Sequence, residues 1–99
     1  MGAFDVKVLG EATIARFARK HAAARTSLQR FLEIVRAADW RHFPALKRSF
    51  AAADYTARGM IIFDIGGNNY RIIATVNFQK QIVLIERVLK HEEYSRENF

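Results

Sequence analysis

The sequence predicts an α+β fold, in which an N-terminal strand and two helices pack on an antiparallel sheet with a C-terminal three-stranded meander. Three observations predict it. The opening run alternates apolar and polar residues, the next stretch carries apolar residues at helical spacing, and the chain from Met60 breaks into three β-rich runs separated by short turns.

The elements follow in order. Phe4-Asp5-Val6-Lys7-Val8 alternates with period two, as a strand with one buried face does. Beyond Gly10, Ile14, Phe17 and Ala18 fall at helical spacing with Arg16, Arg19 and Lys20 among them, which describes a short basic amphipathic helix. A second helix follows, with Leu28, Phe31, Leu32 and Val35 at i, i+3, i+4 and i+7, and with Thr26 and Gln29 at capping-box spacing. From Asp39 to Gly59 no period is sustained and Pro44 interrupts the chain, so connecting structure with a helical turn is expected.

The runs MIIFDI, YRIIATVNF and IVLIERVLK are strand-like and are separated by GGNN and by Gln79-Lys80-Gln81, which makes two successive hairpins. Glycine and asparagine in GGNN accept the positive φ values that tight turns demand. The tail His91–Phe99 reads as a polar helical turn or a frayed end. With no internal repeat, residues 1–99 are expected to form a single domain.

Composition narrows the function classes. No apolar run approaches the roughly 18 residues of a membrane helix, and MGAFDVKVLG lacks the basic flank and apolar stretch of a secretory signal. A cytoplasmic protein with no membrane partner is expected. Cysteine is absent and His21, His42 and His91 show no metal-ligand spacing, so no metal and no cofactor is expected. The net charge of +6 is uneven: residues 1–48 hold 10 Lys+Arg against 4 Asp+Glu, while residues 49–99 hold 6 of each. Nucleic acid, a ribosome surface or an acidic protein would each answer such a field.

At the meander the residues become recognisable. Phe63-Asp64-Ile65-Gly66-Gly67-Asn68-Asn69-Tyr70-Arg71, Ile82-Val83-Leu84-Ile85 and His91-Glu92-Glu93-Tyr94 closely resemble the HigB toxin family, RelE-like mRNA interferases of type II toxin–antitoxin systems. The signature covers about the last third of the chain. Upstream, the two helices, Trp40 and Leu46-Lys47 are similar to the family in order and spacing. The resemblance implies an endoribonuclease that cuts mRNA, in related toxins on the ribosome, and a cognate HigA-like helix-turn-helix antitoxin that silences it. The pattern is departed from in three places: Thr75 stands where many relatives carry lysine, Ser95 where aspartate is usual, and the pair Glu86-Arg87 where an arginine precedes an uncharged or acidic residue.

RNA is cleaved without metal when its 2′-hydroxyl attacks the adjacent phosphate, which requires a base, an acid and cations for the transition state. Arg71, after the turn, suits a two-pronged grip on a phosphate; the plainer reading is an exposed cross-strand ion pair. Histidine suits proton transfer at neutral pH, which makes His91 either base or acid; otherwise it caps a strand-to-helix junction. Tyr94, three residues on, shares a helical face with His91 and either stacks on a base, donates a proton, or seals the core edge. These three are the catalytic candidates. Lys90, Arg87, Arg16, Arg19 and Lys20 are the RNA-binding candidates, the last three alternatively forming a solvated helix surface. Trp40, Phe43, Phe50 and Phe63 are assigned to packing. Two other functions stay open: a non-catalytic RNA- or ribosome-binding translation inhibitor, and a degenerate homologue retained only to bind an antitoxin.

Overall fold

A computed structural model describes residues 6–67 and 69–96, the side chains of 94–96 excepted. Five strands form one sheet: β1 (Lys7–Leu9), β2 (Asp54–Tyr55), β3 (Ile61–Ile65), β4 (Tyr70–Asn77) and β5 (Ile82–Lys90), in the order β1-β5-β4-β3-β2. The helices are α1 (Glu11–Lys20), α2 (Arg25–Arg36), α3 (Phe43–Ser49) and α4 (His91–Arg96), with a 3₁₀ turn at Ala22–Ala24 before α2.

The meander forms as expected. β3 pairs antiparallel with β4 and β4 with β5. The expected antiparallel sheet is corrected at its edge, because β1 runs parallel to β5, Val8 facing Val83, and the sheet is therefore mixed. Alternation in a strand reports which face is buried and is identical for either direction, so it carries no signal for that choice. Val6 is buried and Lys7 exposed, in agreement with the period; Phe4 and Asp5 lie outside the described residues.

Two further differences concern the helices. Thr26 does not cap α2: the helix continues out of the 3₁₀ turn, Ala24 occupies the cap position, and no side chain bonds there. In the connector, α3 is a real helix whose start is set by Pro44 in the first turn and by His42, whose Nδ1 accepts from the Ala45 N–H at 3.3 Å.

The main core lies between α1, α2 and one face of the sheet. Phe63 is fully buried against Phe31, Phe50 and Trp40, with ring centroids 5.1, 5.1 and 6.3 Å away. Phe43 and Phe50 are half-buried and pack against this core. The Gln81 side chain ties the connector to the β4–β5 turn: its amide donates to the carbonyls of Trp40 and Phe78 and accepts from the Trp40 N–H. On the opposite face a smaller cluster holds Ile62, Ile73 and Leu89, and it is on this face that the site forms.

Candidate active site at the end of the central strands

β3 and β4 are joined by the turn Gly66–Asn69, in which Gly66 and Gly67 hold φ values of 62° and 64°. A four-residue connection fixes the register, so Ile65 faces Tyr70 and Asp64 faces Arg71. Residues opposed in an antiparallel pair share a face, and here the Asp64 Oδ1 lies 2.8 Å from Arg71 Nε. The ion pair anticipated as exposed is largely buried: Arg71 is 8% exposed and, among the described residues, the one buried charged residue.

Two further contacts orient the guanidinium. Nη1 donates to the Tyr70 carbonyl at 3.3 Å, and Nη2 meets His91 Nδ1 at 3.0 Å. A guanidinium has no acceptor, so Nδ1 must accept, which places the ring proton on Nε2. His91 reaches this position because β5 ends beside β4, Lys90 opposite Tyr70, and α4 begins at once. Its backbone N–H donates to the Asn69 carbonyl at 2.9 Å, tying the helix start to the turn. The Glu93 carboxylate caps that start by accepting from the Lys90 N–H at 2.8 Å.

The line Asp64–Arg71–His91 ends in two clefts. Asn69, Tyr70, Lys90, His91 and Glu92 line one of about 330 Å³. At the other end, Asp64 borders a cleft of about 200 Å³ on the helical side of the sheet, with Ser27, Arg30, Phe31 and Phe50. Such a site presents a fixed cation and a proton-bearing imidazole, with an open cleft beside the imidazole. Among the described residues no three His, Cys, Asp or Glu side chains group as they would to hold a metal ion, and no helix is long and apolar enough to cross a membrane.

Residues 24–97, which contain both clefts and the turn between them, match the family model of HigB toxin, the RelE-like toxic component of a toxin–antitoxin system. The chain belongs to the HigB toxin family. It is also similar to the mRNA interferase HigB of Escherichia coli O6:H1 strain CFT073, with 24% identity over 92 residues, covering 90% of this chain and 88% of the relative. The mixed five-stranded α+β architecture is compatible with the RelE-like fold of HigB toxins.

Within this HigB-family chain the remaining sequence candidates separate into two groups. Arg87 pairs with Ile73 and so shares the face of Arg71, whereas Lys90 lines the larger cleft. A β-bulge lies between them and the far end of β5: Ile73 faces Arg87 and Ala74 faces Ile85, leaving Glu86 without an opposite residue. The bulge turns two consecutive charged side chains toward one face, where Glu86 accepts from the Thr75 hydroxyl at 3.2 Å. Two of the three departures from the family pattern thus satisfy each other. Tyr94 and Ser95 follow in α4, and their side chains fall outside the described residues.

Arg16, Arg19 and Lys20 are exposed on α1. That helix packs through Ile14 and Phe17 on the opposite side of the sheet from Arg71, so these cations lie across the sheet from its guanidinium. Asp64 and Glu93 are the residues that sequence reasoning missed. A signal for Asp64 was present, since it and Arg71 stand equally far from the centre of the GGNN turn and any symmetric hairpin opposes them.

Proposed function

We propose that this protein is an endoribonuclease toxin that cuts mRNA on the ribosome by 2′-hydroxyl attack on the adjacent phosphate, without a metal. The single observation that supports this most is the 3.0 Å approach of the Arg71 guanidinium to the His91 imidazole on one face of the sheet. Membership of a toxin family and similarity to an mRNA interferase support the same reading.

Asp64 takes the Nε edge of Arg71, which directs the terminal nitrogens toward a substrate phosphate. The acceptors they now face, a carbonyl oxygen and a neutral imidazole nitrogen, are weaker than a phosphate oxygen. An arriving phosphate displaces the imidazole from the guanidinium, and His91 is then able to take up and deliver a proton. Arg71 balances charge on the pentavalent transition state. Tyr94 completes the catalytic set as a stacking or proton-donating group, and Lys90 and Arg87 extend the cationic surface along the RNA.

Arg16, Arg19 and Lys20 form a separate docking face on the helical layer, suited to ribosomal RNA. The partner that silences the toxin is a cognate HigA-like helix-turn-helix antitoxin, and the protein acts in the cytoplasm as one domain over residues 1–99. Brief expression followed by mapping of RNA ends tests the reading. New 5′ ends within messages, lost in Arg71→Ala and His91→Ala, support it. Growth arrest with intact messages sinks it and leaves a translation inhibitor that binds without cutting.

A further inference from the structure

The cleft of about 330 Å³ beside His91 has the volume of a small-ligand pocket, and the charges along it are unusual for a surface that meets RNA. Lys90 offers an ammonium and Glu92 a carboxylate, yet the two are not paired: among the described residues the ion pairs are Arg36–Glu11, Arg41–Asp39 and Arg71–Asp64. The neighbouring Glu93 has a structural task, since its carboxylate holds the Lys90 N–H at the start of α4. Glu92 has no such bond among the described residues, and it is exposed toward the cleft.

A carboxylate next to a phosphate grip repels every phosphate that passes. Such a group is compatible with RNA only where a base, not the backbone, comes to face it. A nucleotide carries an anion and, on most bases, amino protons. A cation and an unpaired acceptor in one cleft match both parts. Cytosine, adenine and guanine each bear an exocyclic amine that a carboxylate accepts from, and guanine adds a parallel ring N–H. Uracil has no amine, and its single ring N–H is flanked by two carbonyl oxygens that face a carboxylate unfavourably.

We infer that this cleft receives the base of a nucleotide flanking the cut, and that Glu92 selects bases with an exocyclic amine against uracil, Lys90 meeting the phosphate of the same nucleotide. The inference rests on the endoribonuclease reading above and adds a substrate preference to it. One carboxylate-to-amine contact corresponds to roughly tenfold discrimination.

The test compares wild-type protein with Glu92→Ala, Glu92→Gln and Arg71→Ala by mapping RNA ends after brief expression in the same cells. In the wild type, uridine should be depleted about tenfold at one of the two positions flanking the cut. In Glu92→Ala that depletion should vanish at that position alone. Glu92→Gln should also admit uridine, because an amide offers both a donor and an acceptor. Wild-type cuts with no uridine bias, or a bias that persists in Glu92→Ala, overturn the inference and leave the nuclease reading intact. Loss of all cutting in both Glu92 variants with unchanged thermal melting assigns Glu92 to the chemistry and overturns it as a base selector. Growth arrest by the wild type without any cutting removes the nuclease reading and this inference with it.

Discussion

Arg71 and His91 stand 20 residues apart in the chain and 3.0 Å apart in space, with Asp64 on the far edge of the same guanidinium. A rigid, charged group is thus held between a carboxylate and an imidazole, and the contributions of the two can be separated by mutation.

Arg71→Ala should lose both stability and cleavage, because it leaves a partly buried carboxylate without its partner, at a cost of about 1–3 kcal/mol. Asp64→Asn should lose less stability than Asp64→Ala, since an amide oxygen still accepts from Nε. Arg71→Lys keeps the charge but cannot reach Asp64, the Tyr70 carbonyl and His91 together, so cleavage should remain low. Thermal melts read beside RNA cleavage decide the matter, and equal activity of Arg71→Lys and wild type would refute the proposed geometry.

His91→Ala should behave differently. The residue is exposed, so its removal should shift stability by no more than about 0.5 kcal/mol. If it moves a proton, cleavage falls by at least roughly 100-fold. A fall in activity that tracks a fall in melting temperature would instead mark His91 as structural.

Two glycines with positive φ should answer alanine differently. At Gly10, φ is 83° and an added Cβ would lie 2.6 Å from the Ile85 carbonyl oxygen, which belongs to β5 and cannot yield. Gly67 has φ of 64° and open space around it. Gly67→Ala should therefore cost only the left-handed backbone strain of about 1–2 kcal/mol. Gly10→Ala should cost clearly more, and a melting temperature lowered equally by both would contradict the close approach of β5.

Neutralising the α1 face in an Arg16→Gln, Arg19→Gln, Lys20→Gln triple variant should weaken binding to ribosomes and reduce the salt dependence, by about 2 in the log–log slope for three lost phosphate contacts. Its binding should remain specific to the same cut sites, because these cations lie across the sheet from Arg71. A change of cutting position in the triple variant would place α1 in the site.

Much of the fold was legible in the residues. The three β-rich runs differ from β3, β4 and β5 by no more than one residue at an end, because apolar alternation and turn glycines are local signals. α3 was only anticipated as a turn: Pro44 reads as a breaker in mid-segment, but here it occupies the first turn, where its missing N–H costs nothing. Of the candidate site, Arg71 and His91 were named from the signature, whereas Asp64, half-buried between apolar neighbours, read as the polar position of a strand.

The sequence alone determined the strand or helix character of β1, α1, α2, β3, β4 and β5, which face of each is apolar, and that the excess positive charge belongs to the first half. Those properties depend on the order of neighbouring side chains. Only the tertiary structure decided that β1 lies parallel to β5, that a bulge turns Glu86 and Arg87 onto one face, and that the turn, β4 and α4 converge on one guanidinium. These are contacts between distant segments, and a periodic pattern does not specify the direction or the partner of a strand, which are chosen by what the rest of the chain leaves unpaired.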